Sequence, residues 1–302
     1  LSIRWIENSL NEFLNKTLGT ENYDYIVASD TDSVYLRLGN LVHMVCKEGK
    51  TKTEIVDFLD KASREIILPF IEKEYDKLAS LMNAYENKMI MDREVIADKG
   101  IWTAKKRYML NVHDSEGVRY DDPKLKIMGI ETTRSSTPQI VRDSLTEAID
   151  LILTTNEQSV IDYISDFRRK FKEFDVEDIA FPRGVNGMKR YKCSLQIYRK
   201  GTPIAVKGAL IFNHMVKKEN LTRKNQEIKD GEKIKFLYLK IPNTCGERVI
   251  SFSSGLPKEF DLNRFVDYNM QFEKAFLEPL KNILDTIGWD TEKRNTLEDL
   301  FV

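Results

Sequence analysis

Cysteine and histidine are scarce in this chain, three of each, and their positions remove whole classes of chemistry. Cys46, Cys193 and Cys245 are odd in number and far apart, with no Cys-x-x-Cys spacing. That pattern fits a reducing compartment and excludes a disulfide miniprotein or a cysteine-rich zinc module. His43, His113 and His214 have no partner at ligand or triad spacing, so no histidine metal site is expected. Long apolar runs are missing too. Nothing approaches the ~18 residues of a membrane helix, and Leu1-Ser2-Ile3-Arg4-Trp5 lacks the charged-then-apolar order of a signal peptide. Glycine (14) and proline (8) are too few for a collagen-like or disordered chain. Charge of one sign is absent as well: 47 Lys+Arg stand against 48 Asp+Glu, so any surface for a polyanion has to be local. What remains is a cytosolic globular chain of 302 residues with no membrane partner, enough for about two domains at ~150 residues each. Its first residue, Leu rather than Met, suggests a piece of something longer.

Ile3, Ile6, Leu10, Leu14 and Leu18 recur at helical spacing before Gly19, which predicts a helix over 2–18. Tyr25 to Ala28 and Val34 to Leu38 are β-rich runs around Ser29-Asp30-Thr31-Asp32-Ser33, a hairpin with a polar tip. A long helical region is expected over 52–86, then strands over 88–97, 101–113 and 124–131. Helices are expected over 138–154 and 157–173, irregular structure with short strands over 181–252, and one or two helices over 260–288. The organisation is α+β, with a break near residue 131.

The flat net charge hides segregation. From Pro182 to Lys218 there are nine Lys or Arg residues and no Asp or Glu. Lys99 to His113 holds Lys99, Lys105, Lys106 and Arg107 without an acid, interleaved with Trp102 and Tyr108. Basic residues among aromatics suit a phosphate backbone; the plainer reading of either run is a solvated face.

Asp30 and Asp32 are the sharpest chemical feature, since an i, i+2 spacing at a hairpin tip puts two carboxylates on one face. Hard oxygen ligands select Mg²⁺, Mn²⁺ or Ca²⁺. An EF-hand loop is excluded because Val34 and Tyr35 stand where its third ligand and glycine belong. An Asx turn that merely closes the hairpin is the plainer alternative. Asp92-Arg93-Glu94 repeats the acidic spacing, and Lys105-Lys106-Arg107-Tyr108 follows a dozen residues on. Carboxylates for divalent ions beside cations for phosphates are the parts of phosphoryl or nucleotidyl transfer.

These motifs carry a resemblance. Asp30-Thr31-Asp32-Ser33 between β-runs resembles motif C of family B DNA polymerases, and Lys105-Lys106-Arg107-Tyr108 resembles that family's Lys-Lys-x-Tyr motif. Met91-Asp92-Arg93-Glu94, the stretch from Pro123 to Thr132 and Ser135-Ser136-Thr137-Pro138 are similar to the replicative polymerases of T-even-type bacteriophages, and the likeness covers essentially the whole chain. It implies an α+β chain in which 1–131 is the C-terminal part of a palm, an antiparallel hairpin with packed helices, and 132–302 is a helix-rich thumb. It implies a DNA-directed DNA polymerase working with two Mg²⁺ ions in the cytoplasm of an infected bacterial host. Asp30 and Asp32 take the catalytic and metal-binding roles, with Glu94 as a further metal ligand and Asp92 as a supporting acid.

For DNA binding the resemblance points to Thr31 and Ser33 at the tip, Lys105, Lys106, Arg107 and Tyr108 at the primer-template, and the thumb run. Within that run Lys189, Lys192 and Lys207 are chosen on charge and position. Leu297, Leu300 and Phe301 resemble a sliding-clamp-binding tail; the plainer reading has them capping the chain's own core. Ala28-Ser29 departs from the family's Tyr-Gly before motif C, and the turn after Ala97 is short. Motifs A and B, expected upstream of Leu1, are not in this sequence. Binding of deoxynucleoside triphosphates and polymerisation are therefore expected to need an N-terminal polymerase part, lost or separately encoded. The alternative is a non-catalytic module that binds DNA and the clamp. A nuclease is a weaker third reading, because no carboxylate cluster with a Lys or His base assembles from the motifs.

Overall fold

The computed structural model describes residues 1–46, 49–194 and 196–293, and the chain parts into two compact units between Met128 and Gly129, three residues before the expected break. The architecture is α+β, with small antiparallel sheets and a helix-rich second unit. Among the described residues no helix is long and apolar enough to cross a membrane.

The first unit opens with α1 (Ser2–Leu18), whose buried stripe is Ile6, Leu10, Leu14 and Leu18, and which Gly19 ends at φ 64°. Its polar side guides the chain onward: Asn11 Oδ1 accepts from the Tyr25 amide at 2.8 Å and Asn15 Oδ1 from the Tyr23 amide at 2.9 Å. These bonds set the entry into β1 (Ile26–Asp30), which pairs antiparallel with β2 (Ser33–Leu36). A short helix α2 (Gly39–Val45), absent from the sequence-based expectation, follows. The expected helical region over 52–86 is α3 (Lys52–Ala62), a π-turn at Ser63–Ile67 and α4 (Leu68–Leu81). Thr51 and Glu54 form a reciprocal capping box at the start of α3. The π-turn sits where Pro69 has no N–H to give the preceding turn. Ile6 and Leu10 pack on Ile67, Ile71, Tyr75 and Leu78, and Val34 and Leu36 of the hairpin close on the same core.

The second sheet is β3 (Val95–Ala104), β4 (Arg107–Ser115) and β5 (Val118–Met128) in that order. It corrects the strand expectations. Residues 88–94 have no regular structure, and the strand expected over 101–113 reverses at Lys105-Lys106. Lys106 takes φ 61°, a left-handed turn that a lysine does not announce. The strand expected over 124–131 begins earlier, after a turn at Glu116-Gly117 in which both φ values are positive, the type I′ pattern of tight hairpins.

The second unit contains α5 (Gln139–Thr154) and α6 (Glu157–Phe171), close to expectation, with the Asn156 side chain capping α6. One-turn helix α7 (Val176–Ile179) leads to β6 (Phe181–Gly184), and α8 (Met188–Tyr191) follows. The region expected to be irregular also holds a buried helix, α9 (Ile204–Lys218), packed against the sheet of β6, β7 (Lys233–Tyr238) and β8 (Val249–Phe252). Its burial on nearly all sides erases the amphipathic period that marks surface helices. Gly208 makes the approach possible: a Cβ there would lie 2.3 Å from Ser251 Oγ. Helix α10 (Tyr268–Phe272), a π-turn at Glu273–Leu277 and α11 (Glu278–Ile287) complete the unit around Phe167, Phe171, Phe272 and Phe276.

Candidate functional site

The loop between β1 and β2 is two residues long, Thr31-Asp32, with Asp30 and Ser33 as the last pair. Thr31, a β-branched residue, is held at φ 50°. Its hydroxyl donates to Asp30 Oδ1 at 3.1 Å, and Ser33 Oγ donates to the Asp30 carbonyl at 3.2 Å. Asp30 thus ends the strand with its carboxylate partly covered, while Asp32 stands on the turn, exposed and without an ion pair among the described residues.

Far along the sequence, the β3–β4 turn comes to the same place. Lys105 Nζ and Lys106 Nζ each lie 3.8 Å from an Asp30 oxygen, with 75% and 69% of their side chains exposed. The structure therefore brings together two motifs that the sequence shows apart, an acidic turn and a basic one. Arg107, at the start of β4, is half-buried. Tyr108, next along that strand, lies 5.4 Å from the Tyr35 ring. Burial, a hydrogen bond to Tyr108 and the negative charge of Glu94 push the Tyr35 phenol well above its ordinary value.

Asp92 and Glu94 face solvent and Arg93 faces inward. Asp92 makes no hydrogen bond or ion pair among the described residues. Glu94, expected as a metal ligand, is ion-paired with Lys126, and its carbonyl accepts from the Glu116 amide at 2.7 Å. Arg93 is clamped by Asp60 at 2.8 Å and by the fully buried Asp114, which Arg119 also meets at 3.1 Å. A second charged cluster, around the solvent-facing Asp98, lies on the same sheet. Burial pushes the Asp98 carboxyl up, but hydrogen bonds from Asn111, Lys52 and His113 outweigh it and hold the group below its ordinary value.

Among the described residues no three His, Cys, Asp or Glu side chains are placed to hold a metal ion, so Asp30, Asp32 and Glu94 do not form one set. Asp30 and Asp32 supply hard oxygen donors of the kind Mg²⁺ takes, and only part of the oxygen shell it requires.

In the second unit, Lys189 and Lys192 are exposed on α8 and just after it. The loop that follows is closed by the Arg199 amide donating to the Tyr191 carbonyl at 3.0 Å and by Arg199 Nε donating to the Lys192 carbonyl at 3.1 Å. Lys207 differs: its Nζ is 2.9 Å from Glu247 and 4.6 Å over the Tyr198 ring. Burial pushes this ammonium down, and the bonds to Tyr198 and Glu247 more than restore it. Lys217 pairs with Glu227 at 2.9 Å. The run without acids in sequence is therefore not without acids in space. Leu297, Leu300 and Phe301 lie outside the described residues.

Sequence reasoning missed Tyr35, Arg93, Tyr198 and Glu247. A signal for Tyr35 was present in the β2 alternation, where core residues Val34 and Leu36 send Ser33 and Tyr35 to the other face. Glu247 had none, because only folding brings it to Lys207.

No protein-family model matches the chain. Curated proteins do: the chain is 35% identical, over its whole length, to the DNA-directed DNA polymerase of Enterobacteria phage T4 and 35% identical to the DNA-directed DNA polymerase of Escherichia phage RB69. It spans 34% of the length of each of these relatives.

Proposed function

The chain belongs over its whole length with the C-terminal part of the T4-type family B DNA polymerases, and on that premise we propose that it supplies part of the palm and the thumb of a DNA-directed DNA polymerase. Residues 1–131 are the palm part and 132–302 the thumb. The observation that carries the reading is the meeting of the Asp30-Thr31-Asp32 turn with the Lys105-Lys106 turn, 3.8 Å apart at Asp30. Nucleotidyl transfer to a primer 3′-hydroxyl needs carboxylates and phosphate-binding cations at one point, and here both sit on the turns of β-hairpins.

Asp30 and Asp32 would hold Mg²⁺, which when bound supplies Lewis-acid stabilisation of the attacking and leaving oxygens. Lys105 and Lys106 neutralise the primer-template backbone beside the carboxylates, and Tyr108 borders the duplex. Thr31 and Ser33 fix the tip by their bonds to Asp30. Asp92 is the supporting acid of the site, and the charge of Glu94 is matched by its ion pair with Lys126. Lys189 and Lys192 grip duplex phosphates from the thumb.

Two carboxylates cannot bracket two ions by themselves. Activity on deoxynucleoside triphosphates therefore requires a further carboxylate and a triphosphate-binding cation from an N-terminal polymerase part, and Leu297, Leu300 and Phe301 dock the sliding clamp. The setting is the cytoplasm of an infected bacterial host.

Asp30→Asn with Asp32→Asn, made in the complex with the N-terminal part, tests the reading. Primer extension falls to background while duplex binding persists. Unchanged extension would instead favour the non-catalytic module that only binds DNA and clamp.

A further inference from the structure

Tyr35 stands at the junction of the two turns. Its neighbours Val34 and Leu36 are packed in the α1–α4 core, which fixes the face that Tyr35 presents. There its ring meets Trp102 edge-on, with centroids 5.3 Å apart, and Tyr108 at 5.4 Å. Trp102 and Tyr108 are direct partners across β3 and β4, and their rings stack at 6.1 Å. The indole lies over Gly100, where an added Cβ would fall 2.7 Å from the ring. Trp102 precedes the Lys105-Lys106 turn and Tyr108 follows it, so a ring wedged against both bears on the turn from each side.

The ion pairs at the tip cannot hold this arrangement unaided. Both lysines are largely in water, and 3.8 Å pairs from such exposed, freely rotating ammonium groups to a partly covered carboxylate gain little against side-chain entropy. Aromatic contacts are insensitive to salt and directional, and they are what remains when DNA phosphates draw the lysines away.

We infer that Tyr35 is a positioning residue: its ring holds the Lys105-Lys106 turn against the acidic turn, so that a nucleic-acid backbone seated on the lysines lies beside Asp30 and Asp32. The inference rests on the proposed reading of this turn as a DNA contact. It adds a residue that touches neither DNA nor metal and acts through where it puts Lys105, Lys106 and Tyr108.

The test uses the full chain and a fluorescently labelled primer-template duplex across a KCl series. Each phosphate contact contributes ~0.9 to the slope of log affinity against log salt. Lys105→Met with Lys106→Met lowers the slope by up to about 1.8. Tyr35→Leu lowers it toward the same value although no charge is removed, Tyr35→Phe keeps the wild-type slope, and adding Tyr35→Leu to the lysine pair lowers it no further. A purely structural role would reduce stability and leave the slope of the folded protein intact. Tyr35→Leu with a wild-type slope overturns the inference, as does a loss fully additive to that of the lysine pair.

If circular dichroism shows that Tyr35→Leu does not fold, Gly100→Ala replaces it. Its methyl would fall 2.6 Å from Leu110 Cδ2 and 2.7 Å from the Trp102 ring, so both side chains must shift, and a folded variant must lower the slope for the inference to stand. A wild-type chain without salt-dependent duplex binding refutes the DNA reading and the inference with it. A steep wild-type slope unaffected by Tyr35→Leu refutes the inference alone.

Discussion

Lys207 and the pair Lys189 and Lys192 belong to one run without acids, yet the structure gives them opposite expectations. Lys207 faces Glu247 at 2.9 Å and is roughly three-quarters covered, whereas Lys189 and Lys192 are exposed. A lysine whose charge is already matched releases few counterions when DNA arrives, because its neutralisation took place on folding. Replacing Lys189 and Lys192 together by Ala should therefore lower the slope of log affinity against log salt by about 1.8, at ~0.9 per phosphate. Between 50 and 200 mM salt, about 0.6 log units, the affinity of the variant should fall about tenfold less than that of the wild type. Lys207→Ala should leave the slope within about 0.3 of wild type and instead reduce stability by about 1–2 kcal/mol, since it removes the cation beside the partly buried Glu247 carboxylate, which keeps the 2.7 Å bond it accepts from the Tyr198 hydroxyl. Fluorescence anisotropy of a labelled primer-template duplex, beside urea denaturation of the same proteins, reads both quantities. A slope lost on Lys207→Ala as fully as on the double substitution would show that the Glu247 pair opens for DNA, and the argument from spatial charge matching would fail.

Three further outcomes follow from the packing and titration of the two units. Gly208→Ala should cost about 1–3 kcal/mol in urea denaturation, because its Cβ would lie 2.3 Å from Ser251 Oγ and 2.8 Å from the Ser251 amide; a neutral result would show that α9 can shift off β8. Asp98 has a lowered folded-state pKa, so its contribution to stability is present above the unfolded carboxylate value near 4 and lost as pH falls through the lower folded value. Asp98→Asn should flatten that part of the acid limb when urea midpoints are followed from about pH 6 to 2, and an unchanged limb would contradict the assigned hydrogen bonds. Thr51→Ala removes one half of the α3 capping box and should cost about 1 kcal/mol by thermal or urea unfolding.

The legible parts of the fold were those written locally. Ile6, Leu10, Leu14 and Leu18 carry a helical period with Gly19 behind it, and α1 formed where that pattern lies. Asp30 to Ser33 between two β-runs made the first hairpin readable. The β3–β4 hairpin was not, since Lys106 gives no turn signal and the apolar residues run on through Tyr108 and Met109. Helix α9 was obscured by burial on nearly every side. For the site, residue types and order were readable, and the spatial pairings were not. Lys105 and Lys106 beside Asp30, Glu94 beside Lys126 and Glu247 beside Lys207 join segments far apart in the chain. Such pairings are set by how hairpins and helices pack, which no local period encodes.

The two turns that meet at the candidate site share an expense. Thr31 at φ 50° and Lys106 at φ 61° occupy the left-handed region, where a side chain costs about 1 kcal/mol relative to glycine. Neither side chain is buried, so packing does not demand it. What both do is local to the site: Thr31 Oγ1 donates to Asp30 Oδ1, and Lys106 Nζ reaches the other oxygen of the same carboxylate. On the proposed reading of this site, the strain is retained for what the two turns contact and offset by the scaffold. Lys106→Gly separates the two effects. It should stabilise the chain by about 0.5–1 kcal/mol in urea unfolding, the relief of the left-handed lysine less the entropy of a freer unfolded state. In the same protein the salt slope for primer-template duplex should fall by about 0.9, one phosphate contact. Stability and DNA binding moving in opposite directions on a single substitution is the signature of a residue kept for what it contacts. A Lys106→Gly chain that is both less stable and unaltered in salt slope would mean that the lysine stem supports the hairpin and that the basic turn has no part in holding DNA.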